Sequence, residues 1–548
     1  MEYSKEISVI EVSVMRFWRG IILILLLSFF LNSLAFSNSP ASKKLQHLPR
    51  KIASVHYWPQ EDWRKASPES QGVDSEHLWR MFSFIKEGNI PIQSVIIIRN
   101  GYLITEAYLY PFQKNFQHIL YSCTKSITSA LTGIAVKEGY IKNVNEQVLL
   151  YFSDLKVNQD DPRKTALTVK HLLTMSTGLK WNENGMYGTD TDSWTQMWKT
   201  SHQIQYILDQ PMRSEPGKEF YYCSGASHLL SGILQRTTGQ SSFEYGRKKL
   251  FEPLGIKDVY WSTDLNGVNI GGSHIFLKPA DMARFGYLYL KKGKWNDRQI
   301  IPEQWVAEST QKQINTPQRT AYGYGYQWWM NSFGGYSARG YGGQYIFVLP
   351  QDEMVIVFTS GLPRYRSELP ESLVETFILP AIRRVTPAKP NPNGNRKLAQ
   401  IIKEVSQSPE PKPIPKLPDT AARISGKKID FGGPLSYSLI FNDKNEGWLT
   451  ISDQENQYRI PMSLDDVYRP TDIGNIGPLP DHNHGAYKGW WSDENTFVID
   501  AFSSLEDGDQ VQYFCTFESD KVNVRVYSKM YSFVEGIAIQ EWVGTIEE

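Results

Sequence analysis

Three cysteines in 548 residues are too few for a disulfide framework, and Cys123, Cys223 and Cys515 lack the spacing of a metal site. An excess of charge is also missing. The 58 basic residues are matched by 58 acidic ones, so bulk electrostatics favours neither nucleic acid nor an anionic surface. No G-x-S-x-G occurs. That removes the nucleophile elbow of a Ser-His-Asp hydrolase and leaves His171 and His228 to structural roles. No internal repeat is found. The D-H-N-H stretch, 481–484, lies among Pro, Gly and Asn and reads as a loop rather than a metal site. No metal or other cofactor is expected.

Only one apolar run is long, and it lies near the N-terminus. Arg16 and Arg19 precede G-I-I-L-I-L-L-L-S-F-F-L-N-S-L-A-F-S (20–37), with small residues at Ser33, Ala35 and Ser37. Positive, apolar, then small is the order of a secretory signal, so 1–37 is read as a signal peptide and the chain as exported, periplasmic or secreted. Met15 is an alternative start. The competing reading is an uncleaved anchor, against which the run is short for a span. Membrane contact is expected only in that case. No cysteine follows the run closely, which argues against a lipoprotein.

The chain is too long for one domain. From 65 to 385 it reads as mixed α and β. S-V-I-I-I-R-N-G-Y-L-I-T-E-A-Y (94–108) predicts a hairpin, because an Asn-Gly turn needs positive φ at both positions. A second hairpin is expected at 344–359. Helical spacing falls between them at 124–138, 167–175, 226–237 and 279–292. Strands at both ends of the segment suggest one sheet closed by the two chain ends, with a helical region beside it. Residues 386–419 are proline-rich and read as an extended linker, with a short helix near 396–406. From 420 to 548 short strands recur, at 436–441, 448–452, 495–502, 511–517 and 521–527, which predicts an all-β barrel or sandwich.

The chemistry is sought in Y-S-C-T-K-S-I-T-S-A (121–130). A helix places residues i and i+3 on one face, so Ser122 and Lys125 can touch. In the first turn, free N–H groups favour developing negative charge. A desolvated lysine loses part of its preference for the charged form and can take the serine proton. S-x-x-K alone is weak and fits an ordinary helix start equally well. Tyr222-Cys223-Ser224 lies in the loop before a second helix, where a tyrosine with its pKa lowered by Lys125 could relay a proton. A-R-G-Y-G-G-Q-Y-I-F-V-L-P (338–350) supplies a glycine-rich approach to a strand. A backbone N–H from that strand, with that of Ser122, could form an oxyanion hole.

These stretches, in this order, resemble the serine β-lactamase and penicillin-binding-protein superfamily, in particular its class C-like branch. L-T-V-K-H-L-L-T-M-S-T-G-L-K-W (167–181), L-F-E-P-L-G-I-K-D (250–258), L-K-P-A-D-M-A-R-F-G-Y-L-Y-L-K-K-G-K-W (277–295) and I-I-P-E-Q-W-V (300–306) extend the likeness. The last segments are similar to 6-aminohexanoate-dimer hydrolase and esterase-type relatives. The resemblance implies an α+β, β-lactamase/transpeptidase-like domain, an antiparallel sheet flanked by helices plus a helical subdomain. The C-terminal domain loosely resembles the lipocalin-like barrel of some such hydrolases. It also implies that Ser122 is the acylated nucleophile, Lys125 its base and Tyr222 the proton shuttle. Ser224 stands where Asn is common. Neither K-T-G nor H-x-G is present. Tyr341-Gly342-Gly343, followed by Gln344, is the nearest match, with Arg339 as a candidate cation. Without K-T-G, the expected substrate is a small-molecule ester or amide rather than a β-lactam.

Two other readings stand beside this one. One is a D-alanyl-peptide carboxypeptidase acting on peptidoglycan. The other is a non-catalytic relative that senses an acyl ligand. Tyr322, Tyr324, Tyr326, Trp328 and Trp329 fit either an apolar substrate arm or core. Cys123 and Cys223 are expected to lie close together, either as a disulfide or as two buried thiols.

Overall fold

A computed structural model describes residues 58–547, apart from short segments at 60–61, 158–160, 184–188, 319, 384–386, 443–445, 477–478, 480–482 and 532–537. The segment expected to be a signal peptide lies outside the described residues, as do Asp481 and His482 of the D-H-N-H stretch.

Seven strands form one antiparallel sheet. β1 (Ile92–Arg99) and β2 (Tyr102–Tyr108) make the Asn-Gly hairpin, with φ of 52° at Asn100 and 77° at Gly101. β3 (Ala321–Tyr324), β4 (Trp329–Asn331), β5 (Tyr336–Gly340), β6 (Gln344–Leu349) and β7 (Met354–Ser360) come some two hundred residues later in the chain. The order across the sheet is β2-β1-β7-β6-β5-β4-β3. The two ends of the domain therefore pair at its centre, Val95 opposite Phe358 and Ile97 opposite Ile356.

Five helices matter for the site and its support: α1 (Ser75–Glu87), α2 (Thr124–Lys137), α3 (Ser224–Thr238), α4 (Pro279–Leu290) and α5 (Pro392–Ser406). β1, β6 and β7 are buried along their whole length. A strand covered on both faces reads as a continuous apolar run, which is what V-I-I-I and M-V-I-V-F supply. Ile96, Ile98, Ile346, Val348, Val355 and Val357 pack with α2 and α4. Val95, Ile97, Phe347, Ile356 and Phe358 face the other way, onto α1 and α5. Helix α5 starts at Pro392 under an Asn391 cap and buries Leu398 and Ile401 against α1. Lys86 pairs with Glu404 at 2.7 Å beside it. The first part of the proline-rich segment is thus docked on the hydrophobic core.

The C-terminal strands close into a nine-stranded barrel, consistent with an all-β, lipocalin-like domain. They are β8 (Ile429–Asp430), β9 (Ser436–Phe441), β10 (Gly447–Ser452), β11 (Gln457–Ser463), β12 (His484–Trp491), β13 (Thr496–Phe502), β14 (Val511–Glu518), β15 (Lys521–Ser528) and β16 (Gln540–Ile546). Consecutive strands pair antiparallel, β16 returns to β8 (Ile546 opposite Ile429), and β11 meets β12 in parallel (Met462 opposite Tyr487). Alternate residues such as Phe497, Ile499, Val522 and Val524 fill the interior. The strand ranges expected from sequence did not include β8, β11, β12 and β16. β11 carries Pro461 and Arg459 in mid-strand, and β16 is exposed along most of its length.

The barrel is seated on the larger domain by apolar contact. Phe112 and Phe116 meet Tyr468, Phe502 and Leu505, while Ile119 and Phe276 meet Leu479. Two hydrogen bonds tie its 503–510 loop down: Ile119 N–H to Glu506 O (2.8 Å) and Gln93 Nε2 to Gly508 O (2.8 Å).

Helix α2 lies so close to the helix Glu303–Ser309 that a Cβ on Gly133 would fall 2.4 Å from the Trp305 ring. A rigid indole cannot yield as a flexible chain would. Gly133→Ala should destabilise the protein by about 1–3 kcal/mol through overpacking. That outweighs the roughly 1 kcal/mol of helix propensity gained. Urea unfolding with an unchanged m-value checks it, and an equal or higher midpoint would refute it.

Candidate active site

Tyr121 adopts a left-handed backbone, φ 43°, immediately before Ser122. A bulky residue rarely does so, and such strain persists only where packing over-determines it. Tyr121–Cys123 then form a single 3-10 turn that runs into α2. This sets Ser122 above Lys125, whose Nζ donates to Ser122 Oγ at 3.0 Å and to Gly272 O at 2.7 Å. Lys125 is 2 % exposed. Burial pushes its pKa down to about 8, with Glu183 opposing the shift. The amine in contact with the hydroxyl therefore loses its proton far more readily than a solvent-exposed lysine, and its neutral form grows as pH rises through about 8.

The Gly272 carbonyl reaches the amine because residue 272 has no side chain. A Cβ there would lie 3.0 Å from Ser224 O and 3.3 Å from Lys125 Nζ, and one on Gly271 would lie 2.1 Å from Ser227 O. Sequence reasoning missed this I-G-G-S-H segment (270–274). The Gly-Gly pair was its one available signal. His274 lines the same wall, and burial with Lys125 nearby lowers its pKa to about 4, keeping it neutral.

Tyr222 stands over the pair with its ring centroid 5.0 Å from Lys125 Nζ. The expectation of a lowered tyrosine pKa is corrected. Burial pushes it well above the usual value, with Tyr324 and Glu183 adding to the rise and a hydrogen bond with Ser122 opposing it. The lysine faces the ring, where its charge does little for a phenolate oxygen. Tyr222 is thus a neutral phenol beside Ser122. Its ring stacks on Trp329 at 6.0 Å, and Arg339 covers Trp329 at 5.2 Å.

Ser224 turns to a carboxylate that sequence reasoning passed over. Its N–H and hydroxyl donate to Glu183 at 2.8 and 2.5 Å, and Trp181 Nε1 donates to the same group at 2.8 Å. No spacing singled out Glu183, because it is brought in by tertiary packing from a loop.

The glycine-rich bend lies against the nucleophile's segment. A Cβ on Gly340 would be 2.4 Å from Leu120 O, and Gly342 and Gly343 take φ of 71° and 89°. Tyr341 packs between Tyr121 and Tyr531 and donates to Met530 O at 3.0 Å. The Gln344 side chain points away from the cavity and pins β6 to β7 through Ser360 O (2.6 Å) and Ser360 N (3.2 Å). Arg339 does not supply a free cation, since it is paired with Glu371 at 2.5 Å and bonded to Ser337 and Thr320. Cys123 and Cys223 are buried free thiols near Lys125, not a disulfide, and Cys515 is a third. Tyr324, Tyr326, Trp328 and Trp329 are core, and Tyr322 is exposed. None of these aromatics lines the cavity.

That cavity measures about 710 Å³, within the range of a small-molecule site. Ser122, Glu183, Ser224, Gly272 and Tyr341 line one side, and Ser503, Asp507, Asp509 and Tyr531 of the barrel line the other. Among the described residues no group of His, Cys, Asp and Glu could hold a metal ion. His484 is instead paired with Glu506 at 2.7 Å and stacked on Phe116.

The antiparallel sheet flanked by helices is the β-lactamase/transpeptidase-like fold of serine hydrolases, and the barrel is a further domain that follows it. The chain belongs to the beta-lactamase family, whose sequence model matches residues 71–371. It is 25% identical over 288 residues to the 6-aminohexanoate-dimer hydrolase of Paenarthrobacter ureafaciens, covering 49% of this chain and 72% of that one. Protein flp of Staphylococcus aureus is 28% identical over 180 residues, 31% of this chain and 34% of that protein. Among solved structures, an octameric penicillin-binding protein homologue from Pyrococcus abyssi aligns over 85% of this chain and 100% of its own. Its TM-score is 0.45 and its identity 16%.

The lysine is directly testable. NMR of 13Cε-lysine-labelled protein should show one resonance titrating near pH 8 that is lost in Lys125→Met. Glu183→Gln should move it lower, since an opposing negative charge is removed. No lysine titrating below about 9.5, nearer the ordinary value, would contradict the burial argument.

Proposed function

We propose that the protein is an SxxK-type serine hydrolase that cleaves a carboxylic ester or amide through an acyl-enzyme on Ser122. The observation that carries this reading is the 3.0 Å contact between Ser122 Oγ and an amine that burial brings to a pKa of about 8. Neutral Lys125 takes the hydroxyl proton as Oγ bonds to the carbonyl carbon and the carbonyl electrons move onto oxygen. The N–H of Ser122 and one from the 340–344 strand segment stabilise that oxygen. Tyr222, a neutral phenol, gives its proton to the departing alcohol or amine while the Lys125 ammonium restores it. Water then cleaves the acyl-enzyme by the reverse relay and releases the acid. A relative named for hydrolysing the 6-aminohexanoate dimer supports hydrolysis as the reaction. Among the described residues no arginine lines the cavity, and neither does any lysine beyond the one beneath Ser122. A penicillin carboxylate would find no cation there, which favours esters and amides over β-lactams.

Intact mass after exposure to a fluorophosphonate and, separately, to benzylpenicillin tests the reading. A fluorophosphonate adduct is expected, lost in Ser122→Ala, and forming faster as pH rises through about 8 because Lys125 must be neutral. A lasting penicillin adduct would instead indicate a D-alanyl-peptide carboxypeptidase or penicillin-binding sensor. No adduct with either reagent would refute acylation at Ser122.

We further propose export, on the order of charge, apolar run and small residues in 16–37. N-terminal sequencing of the mature protein should begin just after Ala35 or Ser37. An intact N-terminus in the membrane fraction would show an anchor.

A further inference from the structure

The barrel does more than stand behind the active site. Its 503–510 loop and Tyr531 form one wall of the cavity that Ser122 opens into. The loop is held in register with the nucleophile. Ile119 N–H bonds to Glu506 O, Tyr121 hydroxyl meets Tyr531 hydroxyl at 3.0 Å, and the same Tyr121 hydroxyl lies 3.5 Å from Asp507 O. Gly508, φ 73°, lets the turn close over Gln93, since a Cβ there would lie 2.5 Å from its Nε2.

The two aspartates on this wall differ. Asp509 is engaged: Ser528 Oγ donates to it at 2.6 Å and Met530 N at 3.0 Å, so it shapes the segment that carries Tyr531. Asp507 is mostly buried, lines the cavity, and among the described residues receives no hydrogen bond and no salt bridge at its carboxylate. The charges acting on it, Glu506 and Asp509, are both acidic, and together with burial they raise its pKa to about 7. An uncompensated carboxylate in a low-dielectric wall costs free energy that an incoming cation would recover. The opposite wall adds Glu183 and a neutral His274.

We propose that Asp507, carried into the cavity by the barrel, recognises a protonated amine, so that the ester or amide cleaved bears an ammonium group close to its scissile carbonyl. The cleaved bond rests on the hydrolase reading, but the cation subsite stands independently of it. Asp507 is a specificity residue, and the barrel is the element that chooses the substrate.

Calorimetry on the full-length Ser122→Ala protein separates the two claims, because it needs no turnover. Binding of ω-aminoalkyl amides of two to six carbons is compared with that of their N-acetyl counterparts. The best amine should bind about tenfold to a hundredfold more tightly than its acetylated form, the range of a hydrogen bond between charged groups. Asp507→Asn should abolish that preference and Asp507→Glu should retain part of it, with thermal melting confirming that both fold. Equal affinity for amine and acetyl forms in the Asp507 protein, or an unchanged preference in Asp507→Asn, would overturn the proposal. Fluorophosphonate labelling of the Ser122 protein reports separately on the hydrolase reading. With turnover, kcat/KM for aminoacyl and N-acetylaminoacyl p-nitroanilides should show the same preference, expressed mainly in KM.

Discussion

Lys125 is buried with no carboxylate bonded to it among the described residues, and its hydrogen bonds go to a hydroxyl and a peptide carbonyl. Taking an ammonium out of water without pairing it is expensive, and the cheapest response is for the group to give up its proton more readily. The surrounding architecture makes that burial possible. α2 is covered by the sheet on one side and α3 on another. Gly271 and Gly272 let a loop backbone close over the amine, and the Tyr222 ring caps it. Glu183 tempers the effect from a distance while satisfying Ser224. Neutral acceptors hold the lysine in place, and the nearby Glu183 carboxylate limits how far its pKa shifts.

A good part of this was legible in the sequence. The Asn100-Gly101 turn, the apolar runs within β1 and β7, and the helical spacing after Ser122 each follow from local rules that tertiary contacts did not overturn. What stayed hidden is what depends on distant segments meeting. Glu183 and the 270–274 loop carry no spacing that ties them to Ser122. The aromatic run 322–329 invited a binding role, yet most of it packs against α4, Trp305 and Phe220, because a buried sheet edge and a substrate wall have the same composition. Arg339 was read as a cation for the site, but its charge is taken up by Glu371, a residue over thirty positions away in the chain. A tyrosine's pKa could not be foreseen either, since it turns on whether the lysine faces the ring or the oxygen.

The two domains share the cavity rather than sitting side by side. The segment between them is anchored through α5 on α1, so the barrel reaches the active site from a fixed base. Its wall is then placed by a backbone hydrogen bond to Ile119, just before the nucleophile, and by a side-chain bond from Gln93 on β1, short-range restraints that leave little room for the two bodies to slide.

One consequence follows from the barrel's strand count. Going round a closed ring, up and down can alternate without a fault only if the number of strands is even. Nine is odd, so one pair must run the same way, and here it is β11 with β12. Antiparallel neighbours can be joined by a tight turn, but a parallel pair needs a long crossover. The described part of that crossover carries Tyr468 and Leu479 onto Phe112, Phe502, Ile119 and Phe276. The parity fault in the barrel thus produces the arm by which it grips its neighbour.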